Sequence, residues 1–421
     1  MNERLLHFIW QFRYYSFAQL QTTNGEPVEV LSAGEPHHNQ GPDFLNARIK
    51  IGDTTWAGTV ELHVKSSDWE KHAHSEDQNF ARIILHVVWE HDTPHLPGNH
   101  PVLELQHRVS NLMLDQYQQW ISSKRSLPCA GQIKSVPAIV LSSWLDRMLT
   151  ERLQSKTERI NFHLKQTNNH WEEVCWRMVC RYFGTNINAD SFEQIAVSVP
   201  LSVLAKHKNQ IHQLEALLLG QAAIVHKNLS DDYGQMLHKE YQFLQKKYGL
   251  RVVNKPPLFL RLRPVNFPSI RLAQLAMLIH QRVHLFSRML EAKALKDVYD
   301  LFDVNANDYW NYHYKPGMPA EFMQKHVGKQ TIDILIINAI APLLFAYGKR
   351  QGEEAQVEKA MNWLQQIAAE KNHVTQVFKL AGVAPKSAAH SQAILHLKEE
   401  YCNALRCLEC AVGNSILKSK Q

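Results

Sequence analysis

Apolar residues first recur at helical spacing at Leu5, Leu6, Ile9 and Phe12, which predicts a helix over Asn2 to Tyr15. Asn24-Gly25 is a turn signal, and Pro27 to Leu31 beyond it alternates like a strand. A polar loop, His37 to Pro42, follows. Asn46 to Ile51 reads as a strand, Gly52-Asp53 as a hairpin turn, and Trp56 to Lys65 as the returning strand. Ser67 to Phe80 reads as helical or irregular. Ile83 to Trp89 is continuously apolar apart from His86, as expected of a central strand buried on both faces. Pro101 to Val109 makes one more strand.

The pattern changes near Ser126-Leu127-Pro128, and from Ala138 onward helical spacing dominates. Trp171, Val174, Cys175, Met178, Val179 and Tyr182 form one core-facing stripe. Asp231 to Tyr248, Ile270 to Leu290, Gln330 to Ala346 and Glu353 to Glu370 are further helices, and Lys255 to Pro268 is a break rich in Pro and Arg. The expected class is α+β: an α/β domain over 1–125 and a larger, mostly helical domain over 126–421. There is no regular internal repeat.

A chain of 421 residues is long for one core, which agrees with two domains. The start, MNERLLHFIW, carries Glu3 and Arg4 and no long apolar region, so no secretory signal is expected. The longest apolar run, Ile332 to Ala346, is interrupted by Asn338 and Pro342. It is shorter than the roughly 20 residues a membrane span requires and reads as a buried helix. Six cysteines without a secretory signal argue against a disulfide framework. A cytoplasmic protein with reduced or metal-bound thiols is expected.

The net charge of +6 conceals an asymmetry. Residues 1–110 hold 8 Lys/Arg against 14 Asp/Glu, whereas the remainder holds 38 against 26. A polyanionic partner would be attracted mainly by the later region. Histidines lean the other way, with 11 of the 24 before residue 110. Acid and imidazole together suit metal or proton chemistry.

Most of that chemistry lies between Gly41 and Asp92. On the strand ending at Lys65, side chains alternate between faces. Val60, Leu62 and Val64 point one way and Glu61, His63 and Lys65 the other. A half-buried strand with a solvated polar face fits this pattern. So does a site, provided that Asp43 comes alongside from the loop entering the neighbouring strand. Two carboxylates on adjacent strands hold Mg²⁺ or Mn²⁺ through oxygen, with water completing the octahedron.

This Pro-Asp, then Glu-x-basic, order resembles the PD-(D/E)XK nuclease superfamily. Pro42-Asp43 matches the first half and Glu61-Leu62-His63 the second. The resemblance implies a restriction-endonuclease-like domain with a mixed sheet, acting as a metal-dependent phosphodiesterase on DNA or RNA. Asp43 and Glu61 would be the metal ligands. His63 stands where the lysine is usual, and Lys65 lies two residues further on as the other basic candidate. Glu3, on the first helix, is a candidate additional ligand. A catalytically inactive binding or scaffold module of the same fold is the alternative.

Asp68, His72, His74 and Asp77 form a second cluster. His72-Ala73-His74 resembles the opening of zinc hydrolases of the metallo-β-lactamase type, but the following residues depart from that pattern. This gives a third reading, a zinc hydrolase with Asp68, His72 and His74 as ligands; a polar surface helix fits as well. The whole chain also resembles an uncharacterised bacterial family of Bacteroidetes type, known only as a domain of unknown function. Gly41-Pro42-Asp43-Phe44, Val60-Glu61-Leu62-His63, Ser66-Ser67-Asp68-Trp69, Arg263 to Pro268 and the cysteine tail carry that resemblance.

Two signals remain in the later region. Arg261, Arg263 and Arg271 surround a Pro-rich, aromatic stretch and suit phosphate contacts, although a structural loop explains them too. Cys402, Cys407 and Cys410 have a spacing that supports zinc or an iron–sulfur cluster, with Cys129 as a distant fourth ligand. Three helix-core cysteines is the competing reading.

Overall fold

The computed structural model describes residues 1–37, 41–71, 80, 82–93 and 100–419. They divide into two units. The first comprises Met1–Leu145, His373–Ala384 and Leu397–Gln421, and the second Asp146–Asn372 and Pro385–His396. The first unit therefore runs past the expected boundary at residue 125. It also recovers two later segments, among them the cysteine tail.

The first unit opens with helix α1, Glu3–Gln11, started by the Asn2 side chain accepting the Leu5 N–H at 2.9 Å. The helix stops short of Tyr15 because Arg13 turns left-handed, with φ 56°. Leu5, Leu6, Phe8, Ile9 and Trp10 are buried, each worth roughly 1.5–3 kcal/mol of burial. The Trp10 indole also donates to the Ala33 carbonyl at 3.0 Å.

Strands β1 (Val28–Ser32), β2 (Glu35–Pro36), β3 (Phe44–Ile51), β4 (Thr54–Lys65), β5 (Ile83–Glu90) and β6 (Val102–Glu104) build one mixed sheet. Its order is β1-β3-β4-β5-β6, with β2 also on β3. Pairing is antiparallel as far as β4 and parallel from β4 through β5 to β6. The apolar run at 83–89 is central, as its composition predicts. The strand expected over 101–109 shrinks to three residues, because the chain turns back after Leu105.

Between β3 and β4 the register shifts from Phe44 to Ala47, where Asn46 takes φ 57°. This is a bulge, and a bulge re-aims the residues beside it. Asp43, at the mouth of β3, is thereby brought level with Glu61 and Leu62.

The second unit is helical. In helix Trp171–Phe183 the stripe residues Val174, Cys175, Met178 and Val179 are buried as expected. The single helix expected over 270–290 is two, Pro268–Gln281 and Leu285–Glu291, parted where His284 takes φ 53°. Lys329–Gln351 is the one described helix long and apolar enough to cross a membrane, and 72% of its most apolar window is buried within the protein. Pro342 is accommodated by a π-wound turn at Ile336–Ile340, whose Ile337 carbonyl and Asn338 side chain accept from the Lys156 ammonium.

Gly58 sits where β5 joins β4. A Cβ there would stand 2.7 Å from the Arg82 carbonyl oxygen and collide with the Ile84 side chain. Gly58→Ala is expected to lower unfolding free energy by about 1–3 kcal/mol, read from urea midpoints. An unchanged midpoint would show that β5 moves aside freely.

Candidate functional site

Glu61 lies on β4 at the strand that the antiparallel and parallel halves of the sheet share. Asp43 and Glu61 interlock through the backbone. The Asp43 N–H donates to Glu61 Oε2 at 3.1 Å, and the Leu62 N–H donates to Asp43 Oδ2 at 3.0 Å. Each carboxylate is thus fixed by a strand amide beside the other. Asp43 and Glu61 stand side by side where β3 and β4 pair.

Helix α1 contributes from its polar side. His7 Nε2 stands 3.3 Å from Asp43 Oδ2. Glu3, one turn earlier on the same face, adds its negative charge to the surroundings of Glu61. The side chains of His7 and Asp43 are 33% and 23% exposed, whereas Glu61 and His63 retain only 5% and 2% of their surface. The site therefore grades from an open mouth at His7 and Asp43 to a closed interior at His63.

That interior corrects the expectation of a solvated polar row. The row is roofed by Trp69, from the short helix α2 (Asp68–Lys71). Its ring lies 4.9 Å from that of His86 and 6.2 Å from that of His63, centre to centre. His86 is the β5 register partner of Glu61. The His63 Nδ1 and His86 Nε2 atoms are 2.9 Å apart, so one of the two rings donates to the other. His63 Nε2 faces Glu61 Oε1 at 3.8 Å.

Burial raises the Glu61 carboxyl to about 8, and the charges of Asp43 and Glu3 push the same way against the stabilising Asp43 N–H. Without a cation the site keeps this proton at neutral pH. Among the described residues no three His, Cys, Asp or Glu side chains close around a single ion position. A Mg²⁺ site does not require three, because this ion keeps several waters and is commonly held by one or two carboxylates. The oxygen donors present fit that ion better than zinc, which favours nitrogen and sulfur.

Other sequence candidates lie elsewhere. Lys65 is not at the pair: its ammonium group stands 3.7 Å from Glu90 and 3.9 Å from Asp92. At the rise of a strand it is about 13 Å along β4 from Glu61. Asp68 anchors its own surroundings, accepting the Lys65 N–H at 3.1 Å and the Lys71 ammonium at 2.6 Å. The Lys71 bond leads in holding its carboxyl below the ordinary range. His72, His74 and Asp77 lie outside the described residues.

In the second unit Arg261 and Arg263 are exposed. Arg271 is not with them. Its guanidinium is internal, bonded to Gln274, Asn266 and Thr331, and burial lowers it to about 10. A nucleic acid cannot reach it, so that assignment is corrected to a structural one. His7 and His86 are the site residues the sequence reading missed as partners of the acids. The signals were Glu3-x₃-His7 on one helix face and a lone imidazole inside the apolar run of β5.

Residues 3–373 match the model of a family described as protein of unknown function, DUF2851. The cysteine tail lies beyond the matched residues. No curated protein and no solved structure matches the chain.

The raised Glu61 carboxyl has a signed consequence. Its ordinary value is 4.5 and its folded value about 8, so the folded state binds the extra proton. Stability from this group is complete below about pH 4.5 and is lost as pH rises through about 8, on the order of 5 kcal/mol in all. With chelator present, the wild type is expected to show a falling urea midpoint between about pH 5 and about pH 8. Glu61→Gln should flatten that slope and be the more stable protein at the upper end. Parallel slopes in the two proteins would place the titration on another group.

Proposed function

The chain belongs to the DUF2851 family, whose description assigns no activity, and from the site itself we propose a divalent-metal-dependent phosphodiesterase acting on nucleic acid. The observation that carries this reading is the backbone-locked pair of Asp43 and Glu61, one open and one buried, with burial and then the Asp43 charge holding the Glu61 carboxyl above its ordinary value. Such a pair gains most from a hard divalent cation, which replaces the proton and cancels the repulsion. The order of helix, antiparallel strands bearing the acids, short helix and parallel strand supports the nuclease-like resemblance.

Asp43, at the open mouth, and Glu61 behind it would hold Mg²⁺ or Mn²⁺. When bound, the ion supplies charge stabilisation to a phosphate and lowers the pKa of a bound water. Asp43 orients its carboxylate through the Leu62 N–H, so its position costs no reorganisation. His63 stands at ion-pair distance from Glu61, and its other nitrogen is fixed by His86. These contacts fix the orientation of the His63 imidazole beside Glu61. His7 touches Asp43 at the mouth, where a substrate phosphate would approach. Attraction of a polyanion is supported by the positive balance after residue 110 and by exposed Arg261 and Arg263.

A metal-binding module without turnover is the second reading. It is favoured by the burial of His63 and by the engagement of Lys65 with Glu90 and Asp92, which take both basic candidates of β4 away from the mouth.

Calorimetric Mn²⁺ titration of the wild type, Asp43→Asn and Glu61→Gln tests the pair. Binding by the wild type and its loss in both variants is expected. Cleavage of single- and double-stranded DNA and RNA with Mg²⁺ or Mn²⁺ should fall by about 10²-fold or more in either variant. Metal binding without cleavage selects the second reading. Equal, negligible heats from all three proteins reject the site.

A further inference from the structure

The six cysteines separate into two kinds. Cys175 and Cys180 are fully buried on a helix of the second unit, where they pack as small apolar residues. The other four all lie in the first unit, although Cys129 precedes Cys402, Cys407 and Cys410 by most of the chain.

The fold brings these four together. Cys129 begins a tight turn in which its carbonyl accepts the Gln132 and Ile133 N–H groups, each at 3.0 Å. That turn leads into a 3-10 segment, Ile133–Ser135, on which the terminal helix Ala411–Lys418 packs. Cys410 is the residue that starts this helix, and Cys402 ends the π-wound segment Leu397–Cys402. Between them the chain reverses through Leu405, at φ 53°, with the Arg406 N–H returning to the Tyr401 carbonyl at 2.9 Å. Cys407 lies on this reversal. Its carbonyl presses on Gly413 so closely that a side chain there would collide.

All six pairings among the four thiols are close enough for their charges to interact. Cys402 feels Cys129, Cys410 and Cys407; Cys129 feels Cys410 and Cys407; Cys407 feels Cys410. None is in a disulfide. Burial first, and then mutual repulsion, pushes Cys129 up to about 12 and Cys407 up to about 11. These are not reactive thiols, since a redox or nucleophilic cysteine needs a depressed value. Beside the Cys410 sulfur lie the first amides of the helix, at Val412 and Gly413, and the Trp144 side chain. Trp144 is itself held edge-on by Tyr401 at 5.3 Å, and Arg406 covers the Tyr401 ring at 4.5 Å.

We propose that Cys129, Cys402, Cys407 and Cys410 ligate an iron–sulfur cluster that ties the C-terminal tail to the first unit. Four thiolates are the ligand set of such clusters. A single zinc ion would draw its sulfurs to about 2.3 Å from one point, and among the described residues no three such side chains close on one point. An iron–sulfide core offers a separate iron to each thiolate and does not need the four sulfurs to meet at one point. On ligation each thiol releases its proton to solvent and forms one S–Fe bond. The core enters as assembled iron and sulfide, and no electron is transferred.

The test uses the full chain, expressed with iron and purified without oxygen. About four irons and four acid-labile sulfides per chain are expected, with a visible absorption that dithionite bleaches. Cys129→Ser and Cys407→Ser should each lose most of the iron and leave the tail open to protease. Cys175→Ser, in the second unit, should retain the full iron content. If the serine variants do not fold, chelator-stripped wild type offered equal amounts of ferrous and ferric iron with sulfide should recover the visible band. Zinc bound without sulfide overturns the cluster. Absence of any metal after reconstitution, or iron unchanged in Cys407→Ser, overturns the site.

Discussion

Two carboxylates cannot share an interior unless their charge is shared with something else. At Asp43 and Glu61 the sheet imposes the contact: the bulge at Asn46 sets the mouth of β3 level with β4, and strand amides bind each acid beside the other. The backbone thereby compels two like charges together. A proton, two histidine partners and a cation are the means of relieving that compression, and Glu61 is already forced toward the first. The environment of the first unit follows from this. His7 reaches Asp43 from helix α1, His63 meets Glu61, His86 fixes His63, and Trp69 covers the two imidazoles.

The alternation along β4 made Glu61 and His63 legible as one face, and Pro42-Asp43 pointed to a partner on the neighbouring strand. Both depend on local periodicity, which the chain order preserves. What covers a face does not. Trp69 lies in a four-residue helix with too few turns for a periodic signal, so the burial of the polar row was invisible. His86 was visible as an oddity in an apolar strand, but only the parallel pairing of β4 and β5 makes it the neighbour of Glu61. Arg271 failed for a related reason. Three arginines near one another in sequence look alike, yet the third falls on the inner face of helix Pro268–Gln281. Boundaries were lost where non-glycine residues turn left-handed, at Arg13 and His284, since those side chains carry no such preference.

The same contrast separates the two cysteine classes. Cys175 and Cys180 announce themselves by helical spacing. Cys129 joins the tail only because the last residues of the chain fold back onto the first unit, a contact at long sequence separation that no local pattern encodes. The three tail cysteines were legible as a group, and their helix-core alternative fails on where they stand. Cys402 closes one segment, Cys410 opens another, and Cys407 lies on the reversal between them.

The two sites of the first unit sort by donor chemistry. One offers carboxylate oxygen and grades from open to closed. The other offers sulfur alone. Hard cations such as Mg²⁺ select the former and have little affinity for thiolate, whereas iron and zinc favour the latter. On this chemistry the two proposed sites would select different occupants. Their linkage to acidity runs in one direction. A metal at either site must displace protons that burial and like charge hold above their ordinary range, at Glu61 and at Cys129, Cys402 and Cys407. If they bind metal as proposed, both sites would exchange protons for it and would become easier to fill as pH rises.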